Sequence, residues 1–212
     1  MHAPHLPNGG GLEVAVALVI STAGLAGSFA TYQSALWGGR EALHYGQADA
    51  SRTAASRAAL EANVARVMDV GLFSAWMEAE AIPNPRLAGM YEQRFPAPFK
   101  PVFRQWRSQD PAHNRNAAPS PFNLPTYRPA GFDESRRLQD LAEAEMKEAQ
   151  MDNRRAHAFT RAEVLLAMAM FFGGIGQAFR SRRARIALAG MAVLACAVGL
   201  QQILVLPKLG LH

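Results

Sequence analysis

Charged residues are absent from three long stretches of this 212-residue chain. The stretches run from 14 to 39, from 164 to 179 and from 186 to 206. A helix needs about 20 apolar residues to cross a hydrocarbon layer of about 30 Å, so the first and third are long enough. The second is shorter, but it spans if flanking arginines extend their side chains to the interfaces. We therefore predict an all-α membrane protein with three transmembrane helices.

Cysteine is nearly absent as well, because Cys196 is the only one and it falls inside the third charge-free stretch. A single thiol forms no intramolecular disulfide, and zinc or redox chemistry cannot be built on it alone. The sequence also lacks recognisable spacing for a nucleophilic triad or a phosphate-binding loop. Gly174 and Gly176 have no third glycine and follow no strand, so we interpret them as small residues for close helix packing. We predict no enzyme activity, no cofactor and no metal site.

The positive charge of the chain does not indicate a nucleic-acid partner. The net charge is +5, yet residues 40–163 carry 17 Lys and Arg against 16 Asp and Glu. Most of the excess lies between the second and third stretches, in Arg180, Arg182, Arg183 and Arg185. Arginines clustered in a short link are typical of a cytoplasmic loop, so these four are predicted to be topogenic. Residues between the first two spans then face the periplasm of a bacterial cell.

This orientation gives a complete prediction of the domain order. The chain starts with a cytoplasmic tail and alternates three transmembrane helices with a periplasmic helical domain, a cytoplasmic arginine loop and a periplasmic tail. The predicted boundaries are 1–11, 12–33, 34–162, 163–180, 181–185, 186–206 and 207–212. A cleavage site at Ser28-Phe29-Ala30 would instead make the first stretch a signal peptide. Because this stretch has no basic residues before it and is long, we prefer an uncleaved anchor.

Proline is missing between Leu12 and Ile82, so the periplasmic domain is predicted to begin as a long helix. The segments 40–70 and 133–163 have equal lengths of 31 residues, or about 46 Å each as helix. We predict that they form a two-helix antiparallel periplasmic stalk. Its apolar seam is predicted from helical spacing to contain Leu60, Val64, Val67, Met68 and Gly71 on the first arm, and Leu138, Leu141, Ala142, Met146 and Ala149 on the second.

Residues 71–131 are rich in proline and aromatic residues and are predicted to form a cap on the stalk. The part from 110 to 131 has five prolines and almost no periodicity, so we expect an irregular loop there. Six aromatic residues are the candidate partner-binding site, because interface hot spots favour such side chains on stiffened loops: Phe95, Phe99, Phe103, Trp106, Phe122 and Tyr127. The alternative is that they form a small core that holds the loop to the stalk.

Histidines offer little indication of a metal site. His44 and His157 are each predicted to lie near the outer membrane surface, one on each stalk arm. No cysteine or carboxylate stands beside them at ligand spacing, so we interpret both as solvated surface residues.

Four sequence segments carry a resemblance to known proteins. They are Tyr32–Trp37, Arg94–Pro101 with Trp106, Pro119–Phe122 with Tyr127, and Phe171–Ile175. In these segments the chain resembles a group of bacterial three-pass inner-membrane proteins with a helical periplasmic region and no known activity. The resemblance implies the same multi-pass topology in the bacterial inner membrane.

Two classes of function are consistent with this architecture. The leading hypothesis is a non-enzymatic accessory or scaffold protein that lies in the lipid bilayer and docks a larger membrane or periplasmic protein, or a second copy of itself. The alternative is a sensor-like subunit that transmits a signal through a partner, because the chain itself offers no cytoplasmic output domain.

Overall fold

The computed structural model describes residues 10–82 and 85–210, and the regular elements in these ranges are all helices. The five α-helices are α1 (Gly10–Ala81), α2 (Pro85–Arg94), α3 (Phe99–Arg107), α4 (Phe132–Gly176) and α5 (Arg182–Val205), and a 3-10 turn covers Pro121–Asn123. α1, α4 and α5 are each long and apolar enough to cross a membrane. The prediction of an all-α protein with three candidate spans is confirmed at this level. The predicted tail 1–11 lies mostly outside the described residues.

The chain divides into two compact units, and α1 and α4 contribute to both. The first unit combines the chain up to residue 46 with the chain from residue 145 onwards, and the second unit comprises 47–144. All three charge-free stretches therefore belong to the first unit.

Small side chains let the helices of the first unit approach closely. A methyl group added at Gly173 would lie 2.8 Å from Cγ1 of Ile20, and one added at Gly199 would lie 2.9 Å from Cγ of Leu166. Both distances are shorter than real contacts of a Cβ atom, so these positions accept only glycine without movement of a neighbour. Of the two glycines predicted for close helix packing, Gly176 would bring an added Cβ within 3.3 Å of Cβ of Leu188, whereas Gly174 has open space around it. The prediction therefore holds for Gly176 and not for Gly174.

Polar contacts join the helices of the first unit at two opposite ends of α5. Near its start, the guanidinium of Arg185 donates to the carboxylate of Glu13 at 2.9 Å. Beyond its end, the side-chain amide of Gln33 donates to the carbonyl of Leu209 at 3.0 Å and accepts from the N–H of Leu209 at 2.9 Å. These bonds place the start of α1 beside the start of α5, so both helices run in the same direction through the unit.

The link between α4 and α5 lies earlier in the chain than the predicted arginine loop. We expected a loop over 181–185, but α4 ends at Gly176 and α5 begins at Arg182, so the link covers 177–181. Arg182, Arg183 and Arg185 therefore lie in the first turn of α5. Ser181 precedes them with an extended backbone, as is usual before a helix.

The second unit buries small residues where large ones were predicted. On α1 the buried positions recur every seven residues, at Ala48, Ala55, Ala62, Asp69 and Trp76. The residues predicted for the seam, from Leu60 to Met68, are instead exposed. The predicted seam of the first arm is therefore wrong, because the opposite face of the same helix has the same spacing and carries alanines that allow closer contact. On α4, Ala142 is buried as predicted, whereas Leu141 is exposed.

Gly131 shows how closely the chain just before α4 approaches α1. Its φ angle is +86°, a conformation that favours glycine. An added Cβ would lie 2.6 Å from the carbonyl oxygen of Ala58. The backbone just before α4 therefore packs directly against the backbone of α1.

Prolines lie beside or at the start of helices in the second unit. α1 continues without a break to Ala81, beyond residue 70, where the first stalk arm was predicted to end. Pro83 follows in the sequence but lies outside the described residues. Pro85 begins α2, and Pro101 occupies the first turn of α3, where a missing N–H breaks no helical bond. The range 110–131 is irregular except for the 3-10 turn, as predicted.

Candidate functional site

The six predicted partner-binding aromatics belong to one cluster in the second unit. Four are almost fully buried and two, Phe122 and Tyr127, are half-buried. Phe73 and Trp76 of α1 complete the cluster. Phe99 stacks on Phe122 with ring centroids 5.4 Å apart, and Phe95 meets Phe103 edge to face at 4.8 Å. Contacts of this kind add to the burial of the rings in holding the cluster together.

The cluster also holds the irregular loop in place. The indole N–H of Trp106 donates to the carbonyl of Ala118 at 2.8 Å. This burial agrees with the alternative interpretation, in which the six aromatics form a small core that holds the loop. A role in partner binding remains a prediction for these residues, and a docking surface has to be sought among side chains that are accessible.

A buried carboxylate lies beside the aromatic cluster. The hydroxyl of Tyr127 donates to Oδ2 of Asp69 at 3.0 Å, while Oδ1 of Asp69 is buried and has no hydrogen-bond partner in the described part of the chain. Burial raises the pKa of Asp69, and the hydrogen bond from Tyr127 partly opposes this effect. Burial and the neighbouring Asp69 together raise the pKa of Tyr127. No sequence pattern predicts this pair, because its members are 58 residues apart.

A second polar cluster lies in the first unit around Asp152, whose side chain is fully buried. Nη1 of Arg155 donates to Oδ1 of Asp152 at 2.8 Å, and Nε of Arg40 lies 3.4 Å from Oδ2. His44 adds a third contact, with Nε2 3.8 Å from Oδ2 of Asp152, and its Nδ1 lies 2.7 Å from the carboxylate of Glu145. Two guanidinium groups thus face one buried carboxylate. Such pairing offsets part of the free-energy cost of burying the charge.

The ring of Trp37 lies between the two arginines of this cluster. The guanidinium carbons of Arg40 and Arg155 are 5.3 Å and 4.6 Å from its centroid. Cations over an indole face are attracted by its quadrupole. The cluster therefore joins α1 to α4 just beyond the charge-free stretch of α1.

The two histidines singled out in the sequence have different surroundings. His157 is exposed, whereas His44 is engaged with two carboxylates, so interpreting His44 as a solvated surface residue is wrong. Within residues 10–82 and 85–210, no group of three or more His, Cys, Asp or Glu side chains is arranged to hold a metal ion.

The four arginines predicted to be topogenic lie together at one end of the first unit. Arg180, Arg182 and Arg183 are exposed, and Arg185 pairs with Glu13. The guanidinium groups of the three exposed arginines are therefore accessible to water or to lipid headgroups.

An exposed apolar face on α1 is the most distinctive surface of the second unit. We call it the outer stripe; it consists of Leu60, Val64, Val67 and Met68, which are 64%, 54%, 72% and 57% exposed. Gly71 continues the stripe and would accept a Cβ without any contact within 4 Å. Charged residues surround it, including Arg57 and Glu61. The sequence shows the helical spacing of the stripe, but it does not show whether this face of α1 points into the unit or away from it.

Comparison with known protein families, with characterised proteins and with solved structures finds no significant match for this chain.

Proposed function

We propose that this chain is a non-enzymatic scaffold of the bacterial inner membrane that docks an apolar helix of a partner protein on the outer stripe. The observation that carries the proposal is the exposure of four large apolar side chains on one face of α1. They lie in a unit that contains none of the three charge-free stretches. Contiguous exposed apolar residues with polar surroundings mark interaction sites in soluble regions.

The spacing of the stripe favours a helical occupant. Leu60, Val64, Val67 and Gly71 follow one another at intervals of four, three and four residues. This is the pattern with which one helix packs its side chains into the grooves of another. An amphipathic helix that binds in a groove typically contacts it through apolar side chains at positions i, i+3, i+4 and i+7.

Gly71 adds a second reason. Glycine inside a helix costs about 1 kcal/mol relative to alanine. No atom of the described chain requires a glycine there, since the space beside it is open. A partner helix that approaches closely at this position would provide the reason.

The orientation of the chain is part of the proposal. We infer that the arginine-rich start of α5 faces the cytoplasm and that residues 33–163 face the periplasm, with segments 40–70 and 133–163 paired as the predicted stalk and the aromatic region as its cap. The arginine cluster supports the orientation. Contacts between α1 and α4 in the first unit, such as that of His44 with Glu145, support the pairing.

Reporter fusions test the orientation separately from the docking. Alkaline phosphatase is active only in the periplasm, so a fusion after Ala130 should be active and one after Ser181 inactive. The reverse pattern would place the second unit in the cytoplasm and would refute the periplasmic scaffold.

Docking is tested by purification of the full chain from native membranes in mild detergent. Wild type should retain a partner, and Val67→Asp should lose it, because a charge in an apolar interface costs several kcal/mol without a counter-ion. Ala50→Asp is the matched control, since Ala50 is also exposed on α1 but lies outside the stripe. If wild type comes out alone in every detergent, or if Val67→Asp retains the partner, the proposal is wrong.

A further inference from the structure

α4 and α5 enclose an open groove of about 430 Å³ in the first unit. Its lining combines two kinds of residue. The apolar part contains Ala158, Val198, Val205 and Leu206, and the polar part contains Arg161, Gln201 and Gln202. A groove with this lining suits an amphipathic ligand that has an apolar chain and a polar head.

The groove lies where the charge-free parts of both helices end. Arg161 precedes the stretch that starts at Val164 by three residues. An added Cβ at Gly199 would lie 3.3 Å from the carbonyl of Ala162, so this part of α5 is at the same level. The hydrogen bond from Gln33 to Leu209, just beyond the end of α5, lies at the same end of the unit. For helices that cross a bilayer, this level is the boundary between hydrocarbon and headgroups.

The polar side chains of the groove are not used by the protein itself. Arg161, Gln201 and Gln202 form no side-chain hydrogen bond or ion pair with any residue in 10–82 or 85–210. Arg155 and Arg185 of the first unit have carboxylate partners, in Asp152 and Glu13. Free N–H donors therefore converge on one groove at the membrane boundary.

From these observations we propose that the groove binds one anionic phospholipid, with its phosphate on Arg161 and the two glutamine amides and an acyl chain along Val198. A guanidinium group matches phosphate oxygens with two parallel N–H bonds. None of the residues that line the groove is acidic, so nothing would balance the ammonium group of a zwitterionic headgroup. The site prefers phosphatidylglycerol to phosphatidylcholine for this reason. It does not depend on the outer stripe or on its partner.

Native mass spectrometry of the full chain in detergent tests the site directly. The protein is titrated with phosphatidylglycerol, with phosphatidylcholine and with glycerol 3-phosphate, and the bound molecules are counted. We expect one phosphatidylglycerol to bind at least about tenfold more tightly than phosphatidylcholine, a ratio that corresponds to about 1.4 kcal/mol. Glycerol 3-phosphate should not compete at equal concentration, because it has no acyl chain.

Two variants assign the binding to the groove. Arg161→Gln should abolish the preference for phosphatidylglycerol, whereas Arg154→Gln should keep it, because Arg154 is exposed on the same helix but does not line the groove. Unchanged thermal unfolding shows that both variants are folded. Equal binding of the two lipids by wild type, equal loss in both variants, or displacement by glycerol 3-phosphate would each overturn the proposal.

Discussion

The two units expose large apolar side chains on α1 to the same extent, but in different surroundings. Leu18 and Leu25 of the first unit are 63% and 77% exposed, and Leu60 and Val67 of the second unit are 64% and 72% exposed. The first pair lies in a stretch without any charge, while the second pair has arginines and glutamates on neighbouring turns. Exposure within the chain therefore does not distinguish a side chain of a candidate membrane span from one of the outer stripe. The charge of the neighbouring residues does.

The interiors of the units differ in how large side chains are grouped. The first unit buries alanines along its helix contacts, among them Ala23 and Ala169, together with a few large side chains such as Phe159. In lipid, helices gain little from hiding apolar area from each other, and close van der Waals contact between small residues holds them together. The second unit also buries alanines along α1, but it gathers large rings such as Phe99 and Phe103 into one cluster, as expected where water drives apolar surface inside.

The largest expected effect concerns a buried ring of the second unit. Phe99→Ala should lower the free energy of unfolding of this unit by about 3 to 5 kcal/mol, because it removes a fully buried ring and leaves a cavity. Chemical unfolding in detergent is followed by the fluorescence of Trp76 and Trp106 in a Trp37→Phe background.

Phe29→Ala in the first unit provides the control for this comparison. Phe29 is 38% exposed within a charge-free stretch, so its removal should cost much less than the removal of Phe99. Equal losses for the two phenylalanine variants would mean that the exposure of a ring within the chain does not decide how much its removal costs.

The next effect is expected at Gly131. Gly131→Ala forces a side chain into a positive φ and places its Cβ against the carbonyl of Ala58, so we expect a loss of about 1 to 3 kcal/mol or more. Gly89→Ala is the control, because Gly89 lies in α2 with open space beside it and should become slightly more stable. The same unfolding measurement applies. A neutral Gly131→Ala would show that the contact before α4 is looser than described.

A smaller loss is expected from overpacking in the first unit. Gly199→Ala brings a Cβ within 2.9 Å of Leu166, and overpacking of this kind costs about 1 to 3 kcal/mol unless the leucine moves aside. Gly190→Ala on the same helix meets nothing within 4 Å and should be tolerated. Thermal unfolding in detergent, followed by Trp37, measures both variants. If both glycines tolerate alanine equally, small residues do not set the helix spacing.

The sequence allowed the three spans to be predicted, because charge is excluded from hydrocarbon whatever the details of packing. It did not allow the seam of the second unit to be predicted. Two faces of α1 have the same helical spacing there, and the rule that large apolar residues point inward selected Leu60 instead of Ala62. The partners of these carboxylates were also beyond prediction, since the partner of Asp69 is on a distant loop and His44 meets Glu145 across 101 positions.

The smallest expected effect is a pH dependence that arises from Asp69 in the second unit. Burial raises the folded pKa of Asp69, so the protonated form is favoured by folding. The stability that this provides is complete below the ordinary pKa of an aspartate, about 4, and is lost as the pH rises through the raised folded value. Asp69→Asn keeps an acceptor for the hydroxyl of Tyr127 but cannot ionise. Between about pH 4 and about pH 7, the variant should therefore gain unfolding temperature relative to wild type, whereas the exposed control Asp140→Asn should not. If wild type and Asp69→Asn change in parallel over this range, the buried carboxyl does not set the pH dependence of this unit.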